Sequence, residues 1–356
     1  FVIDQEKFIH LCPIRHAEYT ERAGVSQPGR KDCAWPSAGR TLAASSHLVF
    51  LMNTPSNRRK FLAATGATIA ASALPGQALG RKDKQEIIDL HQHTNYSGRN
   101  DERLLRHQKA LGIKWTVLLP AGRKFGLGAI CGGNKSVRRV VVKNPKNYVH
   151  FANEIADHPE CIETIETYLK KGATGIGEQK FRVDCDSKHI ERLAELAREY
   201  DVPVLMHFEH GNYNTGIERF HKVLEKFPKV NFIGHAQTWW GNIDKNHKQE
   251  VMYPKGKVTP SGISDRLLSD YPNMFGDMSA GSGQNALIRD EAHAVEFIKR
   301  HQDKLIYGSD CNDLIGRGPS CIGARTIGII RRLIPDRKIQ DKLFSGNARR
   351  IIRIPK

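Results

Sequence analysis

The chain has 356 residues, 55 Lys and Arg against 38 Asp and Glu, a formal net charge of +17 and 39% hydrophobic residues. The length suits one large domain or two ordinary ones. The basic excess is scattered in pairs such as Arg138-Arg139, Lys170-Lys171, Arg331-Arg332 and Arg349-Arg350; this fits solvated helix faces and a bias toward anionic substrates, and argues against a nucleic-acid-binding surface.

The first informative segment is Ser56-Asn57-Arg58-Arg59-Lys60-Phe61-Leu62, followed by an Ala/Gly/Thr-rich stretch from Ala63 to Ala73 and the small residues Ala78-Leu79-Gly80. It reads as a twin-arginine export signal over residues 52–80, which implies the twin-arginine translocase as a partner and a periplasmic or cell-envelope destination. Met52 directly precedes it, and residues 1–51 are unpatterned, so they are expected to be upstream read-through or disordered. The mature domain is then 81–356, with 46 Lys/Arg against 33 Asp/Glu, a net +13. Past the signal there is no long apolar run and no tandem repeat, so a soluble domain without a stable membrane anchor is expected; oligomerisation is left open.

From residue 86 onward, apolar runs of strand length alternate with segments of helical period. The strands are expected at Ile87–Leu90, Trp115–Leu119, Tyr148–Ala152, Thr174–Glu178, Val202–His207, Val230–Gly234, Met274–Asp277 and Leu305–Tyr307. Helices are expected at Arg99–Leu111, Cys161–Lys171, Ser187–Tyr200, Gly216–Phe227, Ser264–Tyr271 and Glu291–Gln302. Eight such units in this length predict an α/β fold, a (β/α)8 TIM barrel with its reactive groups at the C-terminal ends of the strands.

Those ends carry a recurring residue type. Strand one runs into His91-Gln92-His93, whose two imidazoles share a face because strand side chains alternate. Glu178 ends strand four, His207 ends strand five, His235 follows strand six and Asp310 follows strand eight. One rim therefore collects six metal-type ligands. Neutral imidazoles with carboxylates suit a divalent ion, zinc first, with manganese, iron or nickel as alternatives. Lys180 is two residues from Glu178 and competes with it as the strand-four ligand; if Glu178 binds, Lys180 and Arg182 are free to meet an anionic small-molecule substrate.

The motifs Asp89-Leu90-His91-Gln92-His93, Pro203-Val204-Leu205-Met206-His207, Phe232-Ile233-Gly234-His235, Tyr307-Gly308-Ser309-Asp310 and Asn347-Ala348-Arg349-Arg350 resemble the amidohydrolase superfamily, in particular its amidohydrolase-related metal-dependent TIM-barrel hydrolases. The resemblance implies that His91, His93 and Asp310 bind one ion and that His207 and His235 bind a second or divide between ion and substrate, with Glu178 bridging where two ions are present. It implies a metal-activated water attacking a C–O, C–N or P–O bond, with Asp310 as general base and then acid. A non-oxidative decarboxylase or lactonase is the nearest alternative enzyme, and a non-catalytic polyanion-binding barrel the alternative of another class.

The remaining features are weaker. The long connection from Ala236 to Ile263 is expected to be an ordered cover carrying Trp239 and Trp240 as substrate contacts, and His210 is a further candidate contact. Ser279, Ser282 and Asn285 read as a Gly-rich turn. Gly126–Gly133 lacks the pattern of a phosphate-binding loop. His107, His150, His158, His189, His221, His293 and His301 are set aside as ordinary core or surface residues. Of the five mature cysteines, Cys131, Cys161, Cys185, Cys311 and Cys321, none forms a CxxC. Pairing of Cys311 with Cys321 is left open, and Cys311 is not expected to be a nucleophile because the metal site supplies one.

Overall fold

The computed structural model describes residues 85–122 and 131–355. The expected upstream segment, the export signal and the part of the glycine-rich segment up to residue 130 lie outside the described residues. Eight strands follow in chain order: β1 (Ile88–Gln92), β2 (Trp115–Leu118), β3 (Tyr148–His150), β4 (Ile176–Gln179), β5 (Val204–His207), β6 (Phe232–His235), β7 (Met274–Asp277) and β8 (Leu305–Ile306). All pair in parallel with their sequence neighbours, in one sheet of β1-β2-β3 and one of β4 to β8.

Backbone hydrogen bonds join the two sheets on both sides. Ala152 donates to Gly175 (2.9 Å) and accepts from Gly177 (2.9 Å), while Leu90 donates to Tyr307 at 3.1 Å. The strands therefore run round in order, as a (β/α)8 fold requires. Inside the ring, Leu90, Val117, Leu205, Ile233, Phe275 and Ile306 belong to one buried apolar cluster. A second and larger cluster lies between strands and helices and includes Ile190, Leu193, Met206, Phe232 and Phe297. Burial on both faces is why these strands read as near-continuous apolar runs.

The helices are α1 (Asp101–Leu111), α2 (Asn134–Lys143), α3 (Cys161–Lys170), α4 (Lys188–Tyr200), α5 (His221–Lys226), α6 (Gln237–Gly241), α7 (Ile263–Asp270), α8 (Ala280–Ile288), α9 (Glu291–Arg300), α10 (Ile322–Leu333), α11 (Arg337–Asp341) and α12 (Asn347–Ile351). Among the described residues no helix is long and apolar enough to cross a membrane. Two expectations are corrected here. Gly216–Phe227 is split between a 3-10 turn at Ile217–Arg219 and α5. The Gly-rich stretch after β7 is a helix, α8, and not a turn: Gly283 packs so closely that a Cβ would meet the Met278 carbonyl oxygen at 2.5 Å, so tertiary packing overrides low helical propensity.

Two irregularities shape the rim. Between Asp89 and Gln92 the β1–β2 register shifts. Asp89 accepts a hydrogen bond from Gln108 of α1, on the outer side, while Leu90 joins the inner cluster. The shift turns His91 inward after Leu90, as a bulge re-aims a side chain beside a site. A second shift lies between Ile176 and Gln179. There Gly177 has φ +131°, and a Cβ on it would stand 2.7 Å from the Leu205 carbonyl oxygen, so only glycine fits immediately before Glu178.

Candidate metal centre

Five of the expected ligands converge above the inner core. His91 Nε2 lies 3.1 Å from His93 Nε2. Glu178 Oε2 is 3.4 Å from His91 Nε2 and 3.6 Å from His93 Nε2. Asp310 Oδ1 is 3.5 Å from His93 Nε2 and 3.8 Å from His91 Nε2. His235 Nε2 completes the group, 3.6 Å from Glu178 Oε1 and 3.8 Å from Asp310 Oδ2.

The other ring nitrogens are held from behind. His93 Nδ1 donates to the Leu119 carbonyl at 2.8 Å. His91 Nδ1 is 2.7 Å and His235 Nδ1 3.1 Å from Asp277 Oδ2. A proton on Nδ1 leaves the Nε2 lone pair free, so each of the three rings presents an electron pair toward the Glu178 and Asp310 carboxylates. Asp277 is itself fixed by the Ser279 hydroxyl (2.8 Å) and the Ser279 N–H (3.0 Å). Burial pushes the Asp277 carboxyl up, but the His91 charge and the hydrogen bonds from His235 and His91 outweigh it and hold the pKa at about 2. Burial likewise acts to raise Glu178, and the charges of His207 and His91 bring it well below the usual carboxylate range.

This donor set fits a divalent cation. Facing imidazole lone pairs repel, and Asp310 Oδ1 is buried without a hydrogen-bond partner; both are satisfied by a cation between them. His91, His93 and Asp310 form one compact ligand triad, and His91, Glu178 and His235 another. Asp310 is held for this purpose in the left-handed region (φ +42°), with its N–H donating to the His91 carbonyl at 2.8 Å. A non-glycine residue tolerates that conformation only where its surroundings enforce it.

His207 is placed differently. Its Nδ1 makes a short hydrogen bond to Glu178 Oε1, and its Nε2 lies 3.2 Å from Glu209 Oε2. Both nitrogens thus face carboxylates. Lys180 is half-buried with Nζ 5.5 Å from the centre of the Tyr213 ring; burial acts to lower its pKa, but the charges of Glu178, Asp310 and Glu209 raise it, which marks a cation at the mouth. Arg182 is exposed and donates to Asn212. His210 is exposed, with its backbone N–H on the Thr238 hydroxyl.

Trp239 and Trp240 correct the expectation of substrate contacts on a cover. They lie on α6 directly after β6 and are 0% and 3% exposed. Trp239 stacks on Phe208 and fills the space left by Gly234, where a Cβ would be 2.4 Å from the indole. Trp240 Nε1 donates to the Asp277 carbonyl at 2.9 Å. The indoles are scaffold beneath the site. On the rest of the connection, Tyr253 is the aromatic that reaches the mouth, bonded to Gln237 and within range of the Asp310 and Glu209 charges.

Sequence reading missed Asp277, although it ends β7 as Glu178 and His207 mark the ends of their strands; the same strand-end rule finds it. It also missed Glu209, and it read Ser279 only as part of a Gly-rich turn where the structure sets its hydroxyl against Asp277 and His235.

Fold and rim together define a barrel enzyme with a metal-type centre at the strand ends. Residues 126–354 match the amidohydrolase family, and the chain belongs to it. No curated protein matches the sequence. Similar solved structures include an uncharacterized TIM-barrel protein from Bordetella bronchiseptica (16% identity, TM-score 0.54, 75% of this chain and 98% of that one) and an amidohydrolase from Burkholderia multivorans (11%, 0.54, 76% and 100%). A third is a probable 2-pyrone-4,6-dicarboxylic acid hydrolase from Acinetobacter baumannii, with citric acid bound (12%, 0.51, 75% and 98%). At these identities the likeness shows the fold.

Proposed function

We propose that this amidohydrolase-family enzyme is a metal-dependent hydrolase acting on a C–O, C–N or P–O bond of an anionic small molecule. The observation that carries the reading is the gathering of the His91, His93 and His235 Nε2 atoms about the Glu178 and Asp310 carboxylates, each within 3.8 Å of both in one or other oxygen. His91, His93 and Asp310 would hold the ion, with Glu178 and His235 beside them, and zinc suits the set. Such an ion lowers the pKa of water toward about 7 and polarises the electrophile. Asp310 takes the proton from the attacking water and returns it to the leaving group. Asp277 keeps His91 and His235 in the tautomer that presents Nε2, and Lys180 holds the substrate anion at the mouth.

Lactone opening or non-oxidative decarboxylation is the second reading, and His207 favours it. Tied between Glu178 and Glu209, His207 supports a single ion at His91, His93 and Asp310 rather than a bridged pair. A pyrone diacid, the substrate type in the name of the Acinetobacter neighbour, combines a lactone with the negative charge that Lys180 would meet.

The test is metal analysis of purified protein with a screen of lactones, amides, phosphodiesters and aromatic carboxylates, before and after chelation. Loss of activity on chelation and recovery with zinc are expected. If chelation changes nothing while salt abolishes ligand binding, the chain is a polyanion-binding barrel instead.

We further propose that residues 52–80 direct the folded enzyme through the twin-arginine translocase to the periplasm or cell envelope. The support is the Arg58-Arg59 pair ahead of a mildly apolar stretch. Replacing both with lysine should retain the protein in the cytoplasm, and unchanged export would overturn the assignment.

A further inference from the structure

Outside the rim, His107 of α1, Cys311 after β8 and Cys321 at the start of α10 bring their donor atoms within 4.8 Å of one another. All three are buried. Cys311 Sγ is 3.8 Å from Cys321 Sγ, and Cys321 Sγ is 3.5 Å from His107 Nε2. These are not disulfide distances, since that bond is about 2.05 Å long. They match two edges of a metal polyhedron: with Zn–S about 2.3 Å and Zn–N about 2.0–2.1 Å, a tetrahedron sets S···S near 3.8 Å and S···N near 3.6 Å.

Backbone N–H groups reach both sulfurs. The Ala324 N–H donates to Cys321 Sγ at 3.4 Å, where Cys321 caps α10. The backbone N–H groups of Gly323 and Asp313 serve Cys311 Sγ. Gln108 Nε2 donates to Asp89 Oδ2 at 3.0 Å and stands 3.4 Å from His107 Nδ1, at the outer limit of hydrogen bonding; ligation through Nε2 requires the His107 proton on Nδ1, which this weak contact must yield.

The cluster sits where a tie is needed. The loop between the two cysteines follows Asp310 directly and exposes Leu314 (49%) and Ile315 (56%). Gly316 docks it on α1: φ is +78°, and a Cβ would come within 2.3 Å of the His107 carbonyl oxygen.

We propose that His107, Cys311 and Cys321 form a second metal site, separate from the rim, which binds a thiophilic ion, zinc, and pins the loop behind Asp310 to α1. Binding replaces two thiol protons, which pass to solvent, while His107 ligates as a neutral imidazole. Three protein donors leave one position for water. A three-coordinate copper(I) ion uses the same donors.

The full chain, expressed with zinc, is assayed for metal content beside Cys321→Ser and His93→Ala. Cys321→Ser is expected to lose one equivalent relative to the parent, while His93→Ala keeps that equivalent and loses rim metal. p-Hydroxymercuribenzoate, which attacks thiolates and spares imidazole and carboxylate ligands, should release one equivalent from the parent and from His93→Ala into a chromogenic chelator. This second measurement needs no cysteine variant to fold. Copper in place of zinc after growth in copper, absent from Cys321→Ser, supports the site and changes its ion. Equal metal content in parent and folded Cys321→Ser, no mercurial-released ion, or a Cys311–Cys321 disulfide on mass analysis of the alkylated protein would overturn the proposal. None of these outcomes bears on the rim, whose failure shows as a His93→Ala variant with unchanged metal.

Discussion

Asp277 is fully buried behind the rim, where it orients two of its imidazoles. Asp277→Asn preserves its shape, so the consequence isolates charge and tautomer. In the parent, Oδ2 accepts from His91 Nδ1 at 2.7 Å and faces His235 Nδ1 at 3.1 Å. Both rings face one oxygen, so an amide with its NH2 at that position meets both rings with a donor, while the opposite orientation sets the NH2 against the Ser279 N–H. A ring that meets a donor at Nδ1 moves its proton to Nε2 and ceases to be a ligand. Loss of such an outer partner costs roughly 10- to 100-fold in metal affinity, which corresponds to about 1.4–2.7 kcal/mol. Zinc titration against a chromogenic chelator at neutral pH reads this directly, with thermal unfolding of the metal-free protein run alongside to separate affinity from folding. Unchanged zinc affinity in folded Asp277→Asn would refute the orienting role and with it the convergence of Nε2 lone pairs.

Three further outcomes follow from the same geometry. Asp310→Asn should lower kcat roughly 10²- to 10⁴-fold while retaining part of the metal, since His91 and His93 remain; a steady-state profile with only KM altered would exclude the proton-transfer role. Trp239→Ala removes a fully buried indole and should destabilise the fold by about 3–5 kcal/mol in denaturant titration, whereas a raised KM at parental stability would restore it to a cover. Burial acts to raise Asp265, but hydrogen bonds from His301 and the Ser261 N–H and the Arg300 charge lower its pKa below the ordinary value; its contribution is therefore present above about pH 4, the unfolded range, and is lost as pH falls through the folded pKa. Acid unfolding should be shallower in Asp265→Asn, and an identical pH dependence would remove Asp265 as a stabilising group.

The alternation of apolar runs made the barrel legible, because strands buried on both faces and helices of period 3.6 leave distinct patterns. Strand ends then located His91, His93, Glu178, His235 and Asp310. Local pattern failed where long-range packing decides. The indoles of Trp239 and Trp240 look like cover residues beside a long loop, yet the missing side chains of Gly234 and Gly276 open a slot in the sheet that takes Trp239. The inward turn of His91 depends on a register shift against β2, which nothing within β1 announces. His207 was expected as a ligand from its strand-end position, but Glu209 on the adjoining loop engages its outer nitrogen.

His91 and Asp310 stand on opposite sides of the seam where the first strand meets the last, bound backbone to backbone across it. An ion shared between them is a clasp that only a completed barrel can fasten, because a chain interrupted before β8 lacks Asp310. If such an ion is present at about a thousand times its dissociation constant, fastening adds about 4 kcal/mol to the closed state. Metal supply would then set how long the barrel stays shut as well as whether it turns over.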